Sequence, residues 1–194
     1  MKRKSSSDCV KSRTPRQVER FDTLSKSMSK NIMASEYVKK GDRVWTPEYV
    51  AEDLVRHFNP EGLVLEPCYG SGNIFKFLPE GSDFCEIEMG KDFYEYDKQV
   101  DWIVTNPPYS HFSKFIKHGM SLSKNSVWLL PTWKMFSGFG LLKEIRAHGG
   151  IKEIRHYGTG TKLGWSPLAN AIGAIHIQKG YSGDISNSWY EPNF

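Results

Sequence analysis

Cysteine is scarce in this sequence of 194 residues, and metal-ligand spacings are missing. The three cysteines, Cys9, Cys68 and Cys85, are odd in number and form no C-x-x-C pair. This argues against a disulfide framework and a cysteine-rich zinc site, and it favours a reducing compartment. His111 and His118 have no second ligand at metal spacing. The sequence therefore predicts no metal site.

Long apolar runs are also missing. No stretch approaches the roughly 18 apolar residues of a membrane span. The basic start, Met1-Lys2-Arg3-Lys4, continues into serines instead of the apolar region of a secretion signal. We therefore expect a cytoplasmic protein with no membrane partner. The length suits one well-buried domain and is too short for two of ordinary size.

Acidic residues are few near the start of the chain. Residues 1–40 hold eleven Lys and Arg against four Asp and Glu, whereas the rest of the chain holds 15 basic and 18 acidic residues. The first segment is rich in serine and has few large apolar residues, so burial cannot offset its ordering entropy. We predict a mostly disordered basic tail over residues 1–42, with a short helix near 17–24, and a single domain over 43–194. The tail either tethers nucleic acid or is a solvated extension.

A glycine-rich segment follows the first predicted buried strand, Leu63-Val64-Leu65, and reads Glu66-Pro67-Cys68-Tyr69-Gly70-Ser71-Gly72-Asn73. The order of strand, acidic residue, glycine turn and helix is typical of a nucleotide-type site at the carboxyl edge of a parallel sheet, and the alternative is an ordinary strand-to-helix turn. No Lys-Ser or Lys-Thr follows the glycines, and Glu66 would repel phosphate, so the carboxylate suits a cationic ligand such as a sulfonium amino acid. Gly70 and Gly72 would let the backbone approach that ligand closely.

A helix is predicted before this strand. Thr46 and Pro47 form its start, with the threonine hydroxyl as the cap and proline at the first helical position. Val50, Leu54 and Phe58 fall on one apolar face. The sequence Asn59-Pro60-Glu61-Gly62 ends it.

Acidic residues recur about 20 residues after the first strand, the usual place for an acid that binds a ribose diol. They lie at the end of a second predicted strand over residues 83–88, and we favour Glu86 over Glu88. In the loop that follows, Asp92 is a candidate to accept from an adenine amino group and Phe93 to pack against the ring. The alternatives are a solvated loop acid and a core aromatic residue.

Two adjacent prolines follow a third apolar run, Trp102-Ile103-Val104, in the pentapeptide Thr105-Asn106-Pro107-Pro108-Tyr109. They fix two φ angles and remove two backbone donors, which leaves the carbonyls of Asn106 and Pro107 without local amide partners. A conjugated amino group is a poor nucleophile because its lone pair is delocalised. Accepting its two hydrogens with the Asn106 side-chain oxygen and the Pro107 carbonyl would favour a pyramidal nitrogen, while Tyr109 would offer a flat face for a planar substrate. The alternative is an ordinary turn after a buried strand.

The remaining elements can be predicted from periodicity. Ser110 is the expected cap of a helix that directs Phe112, Phe115, Ile116 and Met120 inward and Lys114, Lys117 and His118 outward. A buried strand over 127–130 leads to Trp133, which lines a target pocket or is a core residue. Four further elements follow: a helix over 141–148, a strand over 151–157, a loop over 158–168 with Lys162 and Trp165, and a last strand over 171–177.

The order and spacing of Glu66 to Gly72, Glu86, Asp92-Phe93 and Asn106-Pro107-Pro108-Tyr109 resemble those of class I S-adenosylmethionine-dependent amino-methyltransferases. Within that group the chain looks most like small phage-type DNA N6-adenine methyltransferases, in which a Thr-Pro pair, here Thr46-Pro47, helps to hold the methionine end of the cofactor. The resemblance covers residues 43–180 and implies an α/β fold, a doubly wound, mostly parallel Rossmann-like sheet with one antiparallel strand near the C-terminus.

The resemblance also implies the cofactor and the site residues. S-adenosyl-L-methionine would be held by Thr46, Pro47, Glu66, Pro67, Gly70, Gly72, Glu86, Asp92, Phe93 and Asn106. Asn106, Pro107, Pro108 and Tyr109 would be catalytic. The compartment would be the host cytoplasm if the protein is phage-encoded.

The implied reaction is methyl transfer from S-adenosylmethionine to the exocyclic N6 of adenine in DNA, with the base flipped out or taken from a single strand. The alternatives are RNA adenine, a protein glutamine amide, and a non-catalytic nucleic-acid-binding subunit of the same fold. The basic tail favours nucleic acid, with DNA ahead of RNA. Larger DNA methyltransferases carry a separate target-recognition region, whereas this chain has only the loops around Lys134 and residues 158–168, so we expect weak sequence specificity.

The charge count yields a first prediction. If the tail contacts phosphates, deleting residues 1–40 should weaken DNA binding at low salt. The slope of log affinity against log salt should change by about 0.9 for each phosphate that the tail no longer neutralises. Turnover on a short oligonucleotide at saturating concentration should change little, because the tail holds none of the groups assigned to chemistry. An unchanged salt slope would identify the tail as a solvated extension.

Overall fold

The computed structural model describes residues 44–164 and 170–191. The predicted tail, its short helix, Arg43 and Trp165 lie outside the described residues. The helices are α1 (Glu48–Phe58), α2 (Phe112–Leu122), α3 (Thr132–Phe136) and α4 (Phe139–His148). The strands are β1 (Val64–Glu66), β2 (Asp83–Phe84), β3 (Val100–Thr105), β4 (Ser123–Pro131), β5 (Gly149–Thr159), β6 (Ala171–Lys179) and β7 (Ser186–Trp189).

The seven strands form one sheet in the order β2-β1-β3-β4-β6-β5-β7. Strands β1 to β4 are parallel neighbours, β6 is antiparallel to both β4 and β5, and β7 is parallel to β5. Among the described strands, β6 is therefore the one that runs against the others. The predicted doubly wound, mostly parallel sheet with one antiparallel strand near the C-terminus is confirmed.

Alternate residues of the central strands pack into two cores, one on each face of the sheet. On β4, Val127 and Leu129 join the core that α1 covers, whereas Trp128 and Leu130 join the core covered by α2 and α4. All four side chains are fully buried. A strand buried on both faces reads as a continuous apolar run, as Val127-Trp128-Leu129-Leu130 does.

The carboxyl ends of the parallel strands meet at one edge of the sheet. Strand β1 ends at Glu66, β3 ends just before Asn106, and β4 ends at Pro131. The register pairs Leu65 with Ile103 and Thr105 with Trp128. The fold therefore brings the glycine segment, the Asn-Pro-Pro-Tyr loop and the start of α3 to the same edge.

Several local predictions are wrong at the ends of elements. Helix α1 begins at Glu48, with Pro47 before it and no side-chain cap; the Pro47 carbonyl accepts from the amides of Val50 and Ala51 at 3.0 Å. The Thr46 hydroxyl instead accepts from the Asn106 side chain. A long-range partner has thus replaced the local one.

The segment after the glycines also differs from the prediction, because a 3-10 turn over Phe75–Phe77 stands where a helix was expected. Pro79 follows closely and disfavours helical backbone at the residue before it, Leu78, which is extended. Strand β1 is shifted by one residue, because Leu63 is 38% exposed and its amide donates to the Asp101 carboxylate at the rim.

The second predicted strand is shorter than expected. It ends at Phe84, and beyond it Glu86 forms a single bridge with Lys91 while its carboxylate accepts from the Glu88 amide, which caps a 3-10 turn over Ile87–Met89. The carboxylates of Glu86 and Glu88 are therefore presented by a turn and not by a regular strand.

Two more predictions concern α2. Its cap position is His111 with no side-chain hydrogen bond, so the predicted Ser110 cap is wrong. His118 does not point outward but is half-buried, with its ring nitrogen 3.0 Å from the Phe93 carbonyl oxygen and 3.2 Å from that of Tyr96. Phe115, Ile116 and Met120 are buried as predicted, while Phe112 is half-buried.

Helix α1 is fastened to the sheet by a polar network. The Arg155 guanidinium donates to both oxygens of Asp53 at 2.7 and 2.8 Å, and the Tyr157 hydroxyl donates to the same carboxylate at 2.8 Å. The bidentate geometry explains why Asp53 raises the pKa of Arg155. Since α1 begins two residues after Thr46, this network also fixes the chain beside the Asn-Pro-Pro-Tyr loop.

This network yields a stability prediction. Asp53→Ala should lower the free energy of unfolding by about 1–3 kcal/mol, because it leaves two largely buried donors without their acceptor. Denaturant unfolding of the full chain measures the change. The matched control is Glu52→Ala, which removes an exposed i,i+4 ion pair with Arg56 and should cost less than about 0.5 kcal/mol. Equal losses in the two variants would contradict a special role for Asp53.

Candidate active site

A cavity of about 190 Å³ opens at the carboxyl edge of the sheet. Its walls come from four parts of the chain, namely residues 44–46, the glycine segment, the loop over 86–94, and the start of the Asn-Pro-Pro-Tyr loop with Phe115 from α2. The predicted site residues that line it are Thr46, Glu66, Pro67, Gly70, Glu86, Asp92, Phe93, Asn106 and Pro108. Pro47, Gly72, Pro107 and Tyr109 are not among the lining residues.

The orientation of the Asn106 amide follows from its partners. Its Nδ2 donates to the Val44 carbonyl oxygen at 2.9 Å and to the Thr46 hydroxyl at 3.2 Å. A carbonyl oxygen only accepts, so the nitrogen has to face Val44. The Oδ1 atom is then buried without a hydrogen-bond partner within the described part of the chain. Asn106 thus keeps a free acceptor whose direction is fixed.

Glu66 is the most buried acid at this site, with 1% of its surface exposed. Burial raises its pKa well above the ordinary value of 4.5, and the neighbouring Glu86 raises it further, against a hydrogen bond from the Phe75 backbone. Its Oε2 atom has no hydrogen-bond partner among the described residues. A buried carboxylate of this kind is costly unless a donor or a positive charge compensates it.

The glycine turn lies against Glu86 and an aromatic ring. The Gly70 amide donates to Glu86 Oε2 at 2.9 Å, and Gly70 has a φ of +52°. A Cβ atom there would lie 2.7 Å from Cζ3 of Trp45. Glycine at this position is therefore required both by the backbone conformation and by the close ring.

Trp45 is a lining residue that was not predicted from the sequence. It is 52% exposed, lies on the Gly70 backbone and forms part of the cavity wall. The sequence feature that could have indicated this role is the position of the tryptophan directly before the Thr-Pro pair. An isolated tryptophan is more often part of a core, so this feature alone does not predict a lining residue. Its position gives the cavity a flat apolar wall on the side of Thr46.

Asp92 and Phe93 form another part of the cavity wall. The Asp92 carboxylate accepts from the Tyr94 amide at 2.9 Å and caps a 3-10 turn over Phe93–Glu95. Phe93 is 3% exposed and stacks on Phe115 with ring centroids 5.3 Å apart. Phe93 is therefore both a core aromatic residue and a lining residue.

The tyrosine of the Asn-Pro-Pro-Tyr loop is buried, although a ring that stacks on a substrate needs one accessible face. Tyr109 is 6% exposed and belongs to the core on the α2 side of the sheet. The Pro108 carbonyl accepts from the His111 amide at 3.1 Å, which closes the loop onto the start of α2. The predicted roles of Pro107 and Tyr109 toward an acceptor stay predictions.

The cysteine in the glycine segment is a poor nucleophile. Burial raises the pKa of the Cys68 thiol well above its ordinary value of 9.0, and the nearby carboxylates of Glu66 and Glu86 raise it further. Only a thiolate attacks a carbon centre efficiently. Covalent chemistry through Cys68 is thus disfavoured, and polar groups that accept hydrogen bonds dominate the site.

Residues 44–164 and 170–191 contain no group of three or more His, Cys, Asp or Glu side chains arranged to hold a metal ion. None of the helices in this part of the chain is long and apolar enough to cross a membrane.

No protein-family model matches the sequence, and no curated protein matches it. Solved structures match the fold. A candidate class I S-adenosylmethionine-dependent methyltransferase from Listeria monocytogenes has a TM-score of 0.61 at 14% identity, over 80% of this chain and 68% of its own. A candidate RNA methyltransferase from Pyrococcus horikoshii has a TM-score of 0.53 at 15% identity, and the match covers 73% of this chain and 91% of its own.

A third similar structure is a type I restriction-modification methyltransferase subunit from Streptococcus thermophilus, with a TM-score of 0.57 at 14% identity. The match covers 77% of this chain and 47% of the subunit, so this chain spans about half the length of that relative. At these identities the comparisons show the fold, which is the Rossmann-like fold of class I methyltransferases.

The buried carboxylate yields a pH-dependent prediction. Because the folded-state pKa of Glu66 lies above its ordinary value, the protonated form favours folding, and this stability is lost as pH rises through the raised value. Glu66→Gln stays neutral. Its Tm should therefore exceed that of the parent increasingly as pH is raised from acidic to neutral.

Thermal denaturation at several pH values measures this difference, and Glu80→Gln, at an exposed position, is the matched control. The same Glu66→Gln variant should bind S-adenosylmethionine about 1.5–3 kcal/mol more weakly in calorimetry, since it removes an interaction with a charged group. If Tm varied with pH in the same way for Glu66→Gln and the parent, burial of Glu66 would not disfavour its ionisation, and the prediction would be wrong.

Proposed function

We propose that this protein transfers a methyl group from S-adenosylmethionine to the exocyclic N6 of adenine in DNA, as a small phage-type amino-methyltransferase. The observation that carries the proposal is the Asn106 amide, whose nitrogen is held by Val44 and Thr46 while its oxygen has no partner among the described residues. An amino group that has to be activated needs such a fixed acceptor. Asn106 lines the same cavity as the buried Glu66 carboxylate.

The cavity residues fit the cofactor. The unpartnered oxygen of Glu66 suits the positive end of an amino-acid sulfonium, and Glu86 has lone pairs left to accept from ribose hydroxyls beside the Gly70 amide. Asp92 and Phe93 would contact the adenine end. Thr46, beside Trp45, would contact the methionine end, whereas Pro47 does not line the cavity. Glu86 is half-buried at a fixed bridge, whereas Glu88 is exposed, which supports Glu86 as the ribose ligand.

When bound, S-adenosylmethionine supplies an electrophilic methyl group on a sulfonium. The chain's own residues then act on the acceptor amine. Asn106 Oδ1 and the Pro107 carbonyl would accept its two hydrogens, which localises the nitrogen lone pair. No base with a shifted pKa is needed, because the proton becomes acidic only as the nitrogen gains positive charge, and it leaves to water while Asn106 Oδ1 accepts a hydrogen bond from the amine. Catalysis of this kind depends mostly on alignment.

Tyr109 would stack on the target base. Since the ring is buried in the free protein, acceptor binding has to expose one of its faces. The Asn-Pro-Pro-Tyr loop leaves the sheet at its edge, where such a displacement disturbs no strand pairing. Stacking on an aromatic ring contributes about 1–3 kcal/mol per base, which can offset the cost of opening the loop.

DNA is the acceptor that we favour, with RNA adenine and a protein glutamine amide as alternatives for the same chemistry. The basic tail supports a nucleic acid. The matched structures include proteins described as a restriction-modification methyltransferase subunit and a candidate RNA methyltransferase. A non-catalytic subunit is the alternative from another class; the presence of every side chain that the chemistry needs speaks against it.

The function can be tested directly. The full chain is incubated with radiolabelled S-adenosylmethionine and separate pools of DNA, RNA and protein, and the modified nucleoside is identified by mass spectrometry. We expect label in DNA as N6-methyladenine. Label in RNA or in protein would overturn the choice of acceptor, and cofactor binding without any transfer would indicate the non-catalytic subunit.

Asn106→Ala provides a prediction about the chemistry. It should lower kcat by about 100-fold or more while changing cofactor affinity only a few fold, because its oxygen contacts the substrate mainly in the transition state. Single-turnover kinetics and calorimetry measure the two effects. Asn187→Ala on the edge strand β7 is the matched control and should leave both unchanged. Full activity in Asn106→Ala would exclude an amino-methyltransferase that works through this loop.

A further inference from the structure

The segment after β4, from α3 to the first residue of α4, carries three exposed aromatic side chains close together in sequence. Trp133 is 53% exposed, Phe136 46% and Phe139 93%, while Met135 between them is fully buried. Together with Lys134 we call them the aromatic platform. Trp133 and Phe136 are three residues apart on α3 and so lie on neighbouring positions of its surface. Phe139 lies between Gly138 and Gly140, both of which have open space around them.

The aromatic platform belongs to the same edge of the sheet as the candidate active site. Strands β3 and β4 are parallel neighbours, so the Asn-Pro-Pro-Tyr loop after Thr105 and helix α3 after Pro131 leave the sheet at the same edge. Lys134 connects the two: its Nζ lies 5.0 Å from the Trp133 ring and 5.7 Å from the ring of Phe112, the first residue of α2. The platform is therefore within reach of an acceptor bound at the loop.

Charge distinguishes this part of the chain from the cofactor side. Residues 110–148 hold six Lys and Arg against one acid, whereas residues 44–109 hold four against thirteen. Two of the six, Lys117 and Lys124, are paired with Glu144 and Asp101. Within the described residues the other four make no ion pair: Lys114, Lys134, Lys143 and Arg146. The segment that carries the platform is thus basic, and one of its unpaired cations, Lys134, lies beside an exposed aromatic ring.

We infer that the aromatic platform binds unpaired nucleotides next to the target adenine, so that the preferred acceptor is single-stranded or locally unpaired DNA. This inference rests on the proposed function. Exposed rings stack on bases only where the bases are not already stacked and paired, and positive charge beside the rings holds the backbone. A second copy of the chain is a poorer occupant, because a self-complementary contact would bring two basic segments together.

The test measures oligonucleotide binding without methyl transfer. Fluorescence anisotropy of the full chain compares a labelled single strand with the duplex of the same sequence at several salt concentrations. Trp133→Ala and Phe139→Ala should each weaken single-strand binding by about fivefold or more, with little effect on duplex binding and an unchanged salt slope. Phe139→Trp, which keeps an aromatic ring at this position, should bind the single strand as tightly as the parent. Lys134→Met should instead lower the salt slope by about 0.7 on the single strand.

Trp189→Ala is the matched control, since this residue is 65% exposed on the edge strand β7. It should change neither affinity nor slope, and thermal denaturation should show all variants folded. Unchanged single-strand affinity in both platform variants, or an equal loss on single strand and duplex, would overturn the inference. So would a dimeric parent that Phe139→Ala converts to a monomer with unchanged affinity. Failure of methylation with the predicted binding intact would count against the proposed function alone.

Discussion

The parallel pairing of β1, β3 and β4 is the constraint on which the candidate site depends. The Asn106 side chain reaches back across about 60 residues to bond the Val44 carbonyl and the Thr46 hydroxyl. These hydrogen bonds join the residue that follows β3 to the chain before α1, which Asp53 and Arg155 hold against the sheet. The orientation of the Asn106 amide thus depends on how α1 and the sheet are placed relative to each other. A rigid acceptor of this kind is what an alignment mechanism requires.

The two unpartnered oxygens at the site have different costs. Asn106 Oδ1 is a neutral acceptor, whose burial costs about 1–3 kcal/mol at most. The Glu66 carboxylate is the more demanding group, because ionisation at a position that is 1% exposed is disfavoured. A cationic ligand removes this cost, so binding and ionisation of Glu66 should be coupled. The free protein therefore holds a destabilised group in the place where positive charge is expected.

Local sequence patterns predicted most helices and the central strands, but not the contacts between them. Apolar spacing predicted α1, β4 and β6, and the antiparallel direction of β6 came with the family resemblance. The missed features depend on distant residues: the Thr46 hydroxyl accepts from Asn106 instead of capping its own helix, and Trp45 packs on Gly70. Strand β7, Ser186–Trp189, was also missed, because its polar sequence has no apolar alternation and its pairing comes from β5 alone.

On the proposed function, the division of charge along the chain would separate the residues that hold the cofactor from those that bind the acceptor. Acidic residues dominate 44–109, which supplies the cavity, and basic residues dominate 110–148, which supplies the platform. A polyanion is repelled from the first segment and attracted to the second, so phosphates are kept away from the carboxylates that suit a sulfonium. The Asn-Pro-Pro-Tyr loop lies at the boundary of the two segments. If the proposed function holds, this loop joins an acidic segment suited to a cationic cofactor to a basic segment suited to an anionic acceptor.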